Sequence, residues 1–182
     1  MSKKKIPSAC IVVDASIARS AGPPESNDER SVACRAFLMA LRGVGHRVAW
    51  NAPIKAEWDK HQSHFAREWW TAMVSIGNVF PVPFVLSLEL RQAIEDAGVD
   101  EGVKQAMTKD LHLVETAFAS NHRVGSLDDK VRGHFARFVA HFESLGVVLW
   151  VNPEDADEVA TEWVLAGAPN KPRHRLEKYR PA

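Results

Sequence analysis

Apolar residues follow two alternating patterns along this chain. Residues 10–14 and 146–151 contain short uninterrupted apolar runs, which are typical of strands buried on both faces. Between such runs apolar residues recur at helical spacing, as Ala33, Phe37 and Leu41 do. Because strands alternate with helices, the pattern predicts an α/β fold: a three-layer sandwich with a central, mostly parallel sheet of four to five strands.

The other predicted elements continue this alternation. Residues 47–50 and 124–128 are predicted strands, and residues 79–84 carry two prolines, which favours an edge strand. The remaining helical patterns cover residues 54–76, 88–97, 103–120, 130–142 and 155–166.

Length and composition predict one folded domain with a basic tail at each end. The 182 residues carry no formal net charge and 46% are apolar, which is ordinary for a globular protein and excludes wholesale disorder. We expect a domain at residues 8–168, with a helical insert around residues 59–100. Basic tails at residues 1–7 and 169–182 would either solubilise the chain or hold a phosphate backbone.

Neither cysteine chemistry nor membrane insertion is indicated. Cys10 falls in a predicted buried strand and Cys34 on the apolar side of a helix, so we expect no disulfide, zinc site or nucleophile. The N-terminal lysines precede only a short apolar stretch that Asp14 interrupts, which is neither a signal peptide nor a membrane span. We therefore expect a cytoplasmic protein with no membrane partner.

Acidic residues end two of the predicted strands. Asp14 ends the first, and Asp128 and Asp129 end the strand that starts near residue 124. Ligands of parallel α/β sheets bind outside the carboxyl ends of the strands, so these acids are candidates for convergence. Two further candidates, Glu57 and Asp110, lie in predicted helices.

Such a group of acids has a specific chemical use. Unpaired carboxylates repel one another by roughly 1–4 kcal/mol per pair at about 4 Å, so a cluster is tolerated where a cation binds. Carboxylates without histidine or cysteine suit Mg²⁺ or Mn²⁺. In phosphodiester hydrolysis such an ion lowers the pKa of an attacking water and stabilises charge on the phosphoryl and leaving oxygens.

Four motifs resemble those of the PIN-domain nucleases. They are, in order, Val12-Val13-Asp14-Ala15-Ser16, Ala56-Glu57, the stretch from Asp110 to Ala117, and Val124-Gly125-Ser126-Leu127-Asp128-Asp129. The resemblance covers roughly residues 8–155. Long segments after Glu57, Val131 in place of an aromatic residue, and the basic ends depart from the compact toxin pattern.

The resemblance implies both an activity and a site. In the family, the residues matching Asp14, Glu57, Asp110 and Asp128 form the catalytic, metal-binding cluster. The hydroxyl residues matching Ser16 and Ser126 support it by hydrogen bonding. The family cleaves RNA with a bound metal, and many bacterial members are toxins that an antitoxin neutralises.

Each acid also has a plainer interpretation. Asp14 is suited to a turn or helix cap, and Glu57 to a first helical turn, where the helix dipole favours it. Asp128 and Asp129 are suited to capping the helix that follows, which leaves Asp129 either an auxiliary metal ligand or a cap. Asp110 sits in mid-helix, where aspartate has poor propensity and no local reason to occur.

Other polar residues are assigned structural roles. Glu115 lies five positions after Asp110 on the same predicted helix, which turns it away and favours a salt bridge or rim contact. His61 and His64 have metal-compatible spacing but no third ligand, so a solvated helix face is expected.

Three tryptophans invite a comparison with single-strand binding proteins, where aromatic residues stack on bases. Trp58, Trp69 and Trp70 lie at helical spacing, which favours core or dimer-interface positions. Since Trp69 and Trp70 are adjacent, we expect one of them to face an added segment or a second subunit.

The sequence thus favours a Mg²⁺- or Mn²⁺-dependent ribonuclease with RNA as substrate. Arg19, Arg123 or the tails would hold flanking phosphates. An antitoxin-like partner and a homodimer both stay open. The alternative is a non-catalytic RNA-binding or protein-interaction module on the same scaffold. A phosphoacceptor signalling domain is disfavoured, because Val151-Asn152-Pro153 ends the last strand without the lysine that such a domain uses.

Overall fold

A computed structural model describes residues 8–179 as one parallel sheet with helices on both faces. The sheet has five strands in the order β3-β2-β1-β4-β5, and every neighbouring pair is parallel. The strands are β1 (Cys10–Val13), β2 (Arg47–Trp50), β3 (Val79–Pro81), β4 (Arg123–Gly125) and β5 (Leu149–Val151). The predicted α/β class is confirmed, and β3 is an edge strand as its prolines indicate.

Helices complete the two outer layers. They are α1 (Ala15–Ser20), α2 (Glu29–Val44), α3 (Ala52–His61), α4 (His64–Ser75), α5 (Leu88–Asp96), α6 (Glu101–Phe118), α7 (Asp129–Phe138) and α8 (Ala160–Leu165). Helix α2 packs with α1, α4 and α8, whereas α6 packs with α5, α7 and strands β1, β2 and β4. Helix α3 contacts both α1 and α6, which makes it the link between the two layers at one end of the sheet.

The core explains the uninterrupted apolar runs. Ile11, Val12 and Val13 of β1 are completely buried, because helices cover both faces of the central strand. Cys10 and Cys34 are buried free thiols, and burial raises their pKa values to about 11 and about 12, which leaves both protonated at neutral pH.

Three predicted helices differ from the observed ones, and the one predicted over residues 130–142 simply ends earlier, at Phe138. The single pattern over residues 54–76 is two helices, because the Ser63 side chain accepts a hydrogen bond from Ala66 N and starts α4. The last helix begins only at Ala160. Before it, Asn152 and Asp155 accept hydrogen bonds from the backbone two residues ahead, and these turns compete with helix formation.

The tryptophans pack inside the protein, so the expected core role is confirmed. Trp58 and Trp69 are buried, and their indoles donate to Val13 O and Leu38 O. Trp70 is half-buried and packs against Trp50, with ring centroids 3.8 Å apart. Trp70 therefore packs against strand β2 of the central sheet, and not against an added segment as expected for one of the adjacent pair.

The C-terminal stretch that was predicted to be a basic tail packs onto the domain as far as residue 179. Two 3₁₀ turns, Pro172–His174 and Leu176–Lys178, follow α8, and Leu176 N donates to Val148 O beside β5. The N-terminal tail at residues 1–7 and the final residues 180–182 lie outside the described part. Over residues 8–179, no helix combines the length and apolar character that crossing a membrane requires.

Candidate active site

The order in which the chain adds strands to the sheet reverses between β1 and β4. The chain builds β2 and β3 on one side of β1, and then returns to place β4 and β5 on the other side. In parallel sheets, the crevice at such a switch point is where ligands bind. Asp14 follows β1 at this point, and its N–H donates to Gly125 O at the end of β4. Glycine at position 125 makes room for the Phe37 ring of α2, since a Cβ there would lie 2.9 Å from Cζ of Phe37.

A cavity of about 140 Å³ opens at this edge of the sheet. It is lined by all four predicted carboxylates, which come from four separate parts of the chain: Asp14, Glu57, Asp110 and Asp128. The other lining residues are Ala15, Ser16, Arg19, His61, Lys109 and His112. The structure thus brings together acids that are up to 114 positions apart in sequence, which is the separation of Asp14 and Asp128.

Asp14 occupies the N-cap position of α1 without making the capping hydrogen bond. Its Oδ2 instead accepts hydrogen bonds from Ser16 Oγ at 2.5 Å and Ser126 Oγ at 2.8 Å. The same hydroxyls accept from Leu127 N and Asp128 N, both at 3.1 Å. The two serines therefore orient Asp14 and tie it to the loop that carries Asp128.

Asp128 caps α7 as well as lining the cavity. Its Oδ1 accepts a hydrogen bond from Val131 N at 2.8 Å, so the plainer interpretation of this residue is correct for one oxygen. Asp128 is exposed to solvent. Within residues 8–179, Oδ2 accepts no hydrogen bond, and it remains able to bind a ligand while Oδ1 caps the helix.

Asp110 has no hydrogen-bond donor among the described residues, although it is half-buried in the middle of α6. Burial and, after it, the negative charges of Asp14 and Asp128 raise its pKa to about 6 from an ordinary value of 3.8, while the charges of Lys109 and His112 oppose the shift. The three aspartates therefore interact electrostatically. A charge placed among them without a partner is costly for the fold.

Glu57 is the sixth residue of α3, and the first turn of that helix contains no acid. The helix-dipole interpretation of this residue is therefore wrong. Its carboxylate is 3.5 Å from His61 Nε2, one turn further along α3, and both side chains are partly exposed. His64 begins the next helix and pairs with Glu68, so the two histidines do not share one helix face.

Two residues that position α3 were missed in the sequence. Asn51 caps α3 through Oδ1, which accepts from Ile54 N at 3.2 Å, and its Nδ2 donates to Thr116 Oγ1 at 2.7 Å. Thr116 in turn donates to His112 O on α6. The Asn-Ala-Pro sequence is a recognisable helix start, but nothing in it indicates a partner 65 positions away.

Two predicted site residues lie outside the cavity. Asp129 Oδ2 accepts from Asn152 Nδ2 at 2.7 Å, and its Oδ1 is 3.6 Å from Arg132 Nη1. Arg123 starts β4 at the opposite edge of the sheet, where it donates to Ala168 O and Asn121 O. Of the two arginines that were expected to hold flanking phosphates, Arg19 and Arg123, only Arg19 lines the cavity.

The donor set of the cavity suits a hard divalent cation. Carboxylate oxygens are the preferred protein ligands of Mg²⁺ and Mn²⁺, and Mg²⁺ usually keeps several waters with only one or two carboxylates. Within residues 8–179, no three His, Cys, Asp or Glu side chains close around one point as they stand. The four acids thus line a common cavity without forming a ready-made set of three ligands, so an ion bound there would need water molecules to complete its coordination.

Comparisons with known proteins do not extend this description. No protein-family model, no curated protein and no solved structure matches the chain.

Proposed function

We propose that this chain is a Mg²⁺- or Mn²⁺-dependent endoribonuclease of the PIN type. One observation carries the proposal: Asp14, Asp110 and Asp128, from three separate segments, line one cavity at the switch point of the sheet. Burial, together with the charges of Asp14 and Asp128, raises the pKa of Asp110 to about 6. Perturbed carboxylates in a cleft are typical of sites where a cation or a reacting group binds. RNA as the substrate comes from the motif resemblance.

In the proposed site, Asp14, Glu57, Asp110 and Asp128 would hold the ion. When bound, the ion supplies an acidified water and charge stabilisation at the phosphate. The chain contributes the placement of these carboxylates: Ser16 and Ser126 hold Asp14 through its Oδ2. Hydrolysis forms a bond from water oxygen to phosphorus and breaks the bond from phosphorus to a ribose oxygen. The water releases a proton to solvent, and the departing oxygen takes one up.

Two cations of the cavity suit the flanking phosphates. Arg19 and Lys109 both line it, and neither side chain forms an ion pair with any residue in the range 8–179. Cations that are not already paired remain free to donate hydrogen bonds to phosphate oxygens, and a guanidinium can donate two parallel ones. These two residues are therefore the proposed contacts of the RNA backbone on either side of the scissile bond.

The test is cleavage of single-stranded and structured RNA in Mg²⁺ or Mn²⁺ by the wild type and three variants. Asp14→Asn and Asp128→Asn should abolish cleavage, as should EDTA. The matched control is Asp129→Asn, which removes a neighbouring acid that lies outside the cavity and should retain activity within a few-fold. Wild-type cleavage that persists equally in Asp14→Asn and Asp128→Asn would contradict the metal site.

The same experiment addresses the alternative and the biological role. RNA retained in a gel shift without cleavage by any variant would favour a binding module. For the toxin question, we expect growth arrest on expression of the wild type, relieved by Asp14→Asn or by a co-expressed antitoxin-like partner. Light scattering of the purified protein would decide whether a homodimer forms.

A further inference from the structure

A second cavity lies between helices α6 and α7, away from the acids. It has a volume of about 190 Å³, and its floor is formed by Val99, Val103, Met107 and Phe138. Met107 and Phe138 are buried and the two valines are half-buried. An engineered apolar cavity of about 150 Å³ is large enough to bind benzene, so this one admits a ring or a short alkyl chain.

The rim of this cavity has the opposite character. It is formed by His134, Arg137 and His141, and the cavity lining contains no acid within the described residues. His141 stacks on Phe138, with ring centroids 5.0 Å apart and an angle of 14° between the planes. Within residues 8–179, Arg137 and His134 form no hydrogen bond or ion pair through their side chains. The rim thus offers nitrogen donors that the protein itself leaves unused.

We propose that this cavity binds a small carboxylate with a compact apolar body, such as an aromatic or short-chain monocarboxylic acid. The body would occupy the apolar floor, and the carboxylate would accept hydrogen bonds at the rim, chiefly from the Arg137 guanidinium. Drug-sized ligands use cavities of about 300–1,000 Å³, so this smaller volume favours a fragment-sized molecule.

This second site is independent of the proposed ribonuclease. The cavity shares no lining residue with the acidic one, although α6 and α7 also carry Asp110 and the Asp128 cap. Loss of cleavage in the acid variants would therefore leave carboxylate binding unchanged, and binding can be measured without RNA or metal.

The test uses phenylacetate as the probe, with NMR chemical-shift titration of the labelled full-length protein in EDTA. We expect saturable shifts at α6 and α7 with a Kd on the order of 0.1–1 mM, which is usual for a ligand of this size. The neutral isostere phenylacetamide should bind at least about tenfold more weakly, and acetate should not saturate. Equal affinity for acid and amide would overturn the proposed role of the rim.

Variants locate the site. Arg137→Gln should weaken phenylacetate binding at least about fivefold, and Arg137→Lys should retain most of it. Val103→Trp should fill the floor and block binding. The matched control is Arg67→Gln, which removes an exposed arginine of α4 and should change nothing. Phenylacetate binding that is unaffected by Arg137→Gln, or equally weakened by Arg67→Gln, would overturn the assignment.

Discussion

Two carboxylates of helix α6, Glu115 and Asp110, differ in whether the rest of the described chain provides them with hydrogen-bond partners. Glu115 of α6 is completely buried, yet it accepts hydrogen bonds from Arg91 Nε and Nη2 at 2.8 and 2.7 Å and from Ser87 N at 2.8 Å. Asp110 lies five residues earlier, about 140° around the helix. It is less buried, accepts no hydrogen bond from the described residues, and faces two other aspartates.

The difference distinguishes a charge that the fold itself neutralises from one that the proposed function would use. The pairing of Glu115 confirms the salt bridge expected from its position, and this bridge holds α5 against α6. A buried charge is tolerated when its partners replace the lost water. Asp110 accepts no hydrogen bond from the described residues, and the charges of Lys109 and His112 offset its burial only in part, so its ionised form costs stability unless a group from outside the chain compensates it. This is the physical reason for assigning the cation to the Asp110 side of α6.

The largest expected effect tests this division through activity. Asp110→Asn should reduce kcat/KM for RNA at least about 100-fold, a loss of about 2.7 kcal/mol in transition-state stabilisation, because the variant loses a charged ligand. Glu115→Gln, assayed at equal concentration of folded protein, should stay within a few-fold of wild type. A comparable loss in both variants would mean that the two acids do not have different roles.

The free energy of unfolding should show the reverse order, with a larger loss on substitution of Glu115 than on substitution of Asp110. Glu115→Ala leaves Arg91 and the Ser87 N–H without their acceptor and should lower the free energy of unfolding by about 2–3 kcal/mol, below the range for fully buried pairs because Arg91 is partly exposed. Urea denaturation measures it. In a double-mutant cycle with Arg91→Ala, a coupling energy near zero would contradict the pairing.

Asp110→Asn should stabilise the metal-free protein at pH 7 by about 1–3 kcal/mol, because the pKa of Asp110 is raised in the folded state. The sign follows from the proton balance. Below the unfolded pKa of 3.8 both states are protonated and the variant gains nothing. Between pH 3.8 and about 6 the unfolded carboxyl ionises while the folded one stays protonated, so the wild type loses stability across this window, and the loss is complete above about pH 6.

Thermal unfolding in EDTA between pH 3.5 and 7.5 measures that difference. Added Mn²⁺ should stabilise the wild type and leave Asp110→Asn nearly unchanged, which removes or reverses the gain of the variant. A difference between the two proteins that is independent of pH would contradict the raised pKa as its cause.

Glu57 should give the smallest effect. Its side chain is 41% exposed and already interacts with His61, so solvent and the imidazole screen its charge. Glu57→Gln should lower kcat/KM by about tenfold or less, with an unchanged free energy of unfolding. A loss as large as that of Asp110→Asn would place Glu57 on equal terms with the aspartates.

Much of the fold and part of the site follow from local sequence. Uninterrupted apolar runs predict strands buried on both faces, and parallel strands place their carboxyl ends at one edge, which is sufficient to expect Asp14 and Asp128 near each other. Asp110 and Glu57 came from the motif resemblance. The break at Ser63 was missed because apolar spacing continues across it, and only the cap shows where the second helix begins.

Adjacent acids show what sequence cannot decide. The motif favours Asp128 as the metal ligand but leaves Asp129 either an auxiliary ligand or a cap. In the structure Asp129 accepts a hydrogen bond from Asn152, 23 residues later. Likewise, Arg91 reaches Glu115 across 24 residues. The sequence by itself determined the elements, the strand ends and the presence of the acids, because these depend on near neighbours. Only the tertiary structure decided which acids are neutralised by a partner and which are left for a ligand, because the partners come from distant segments.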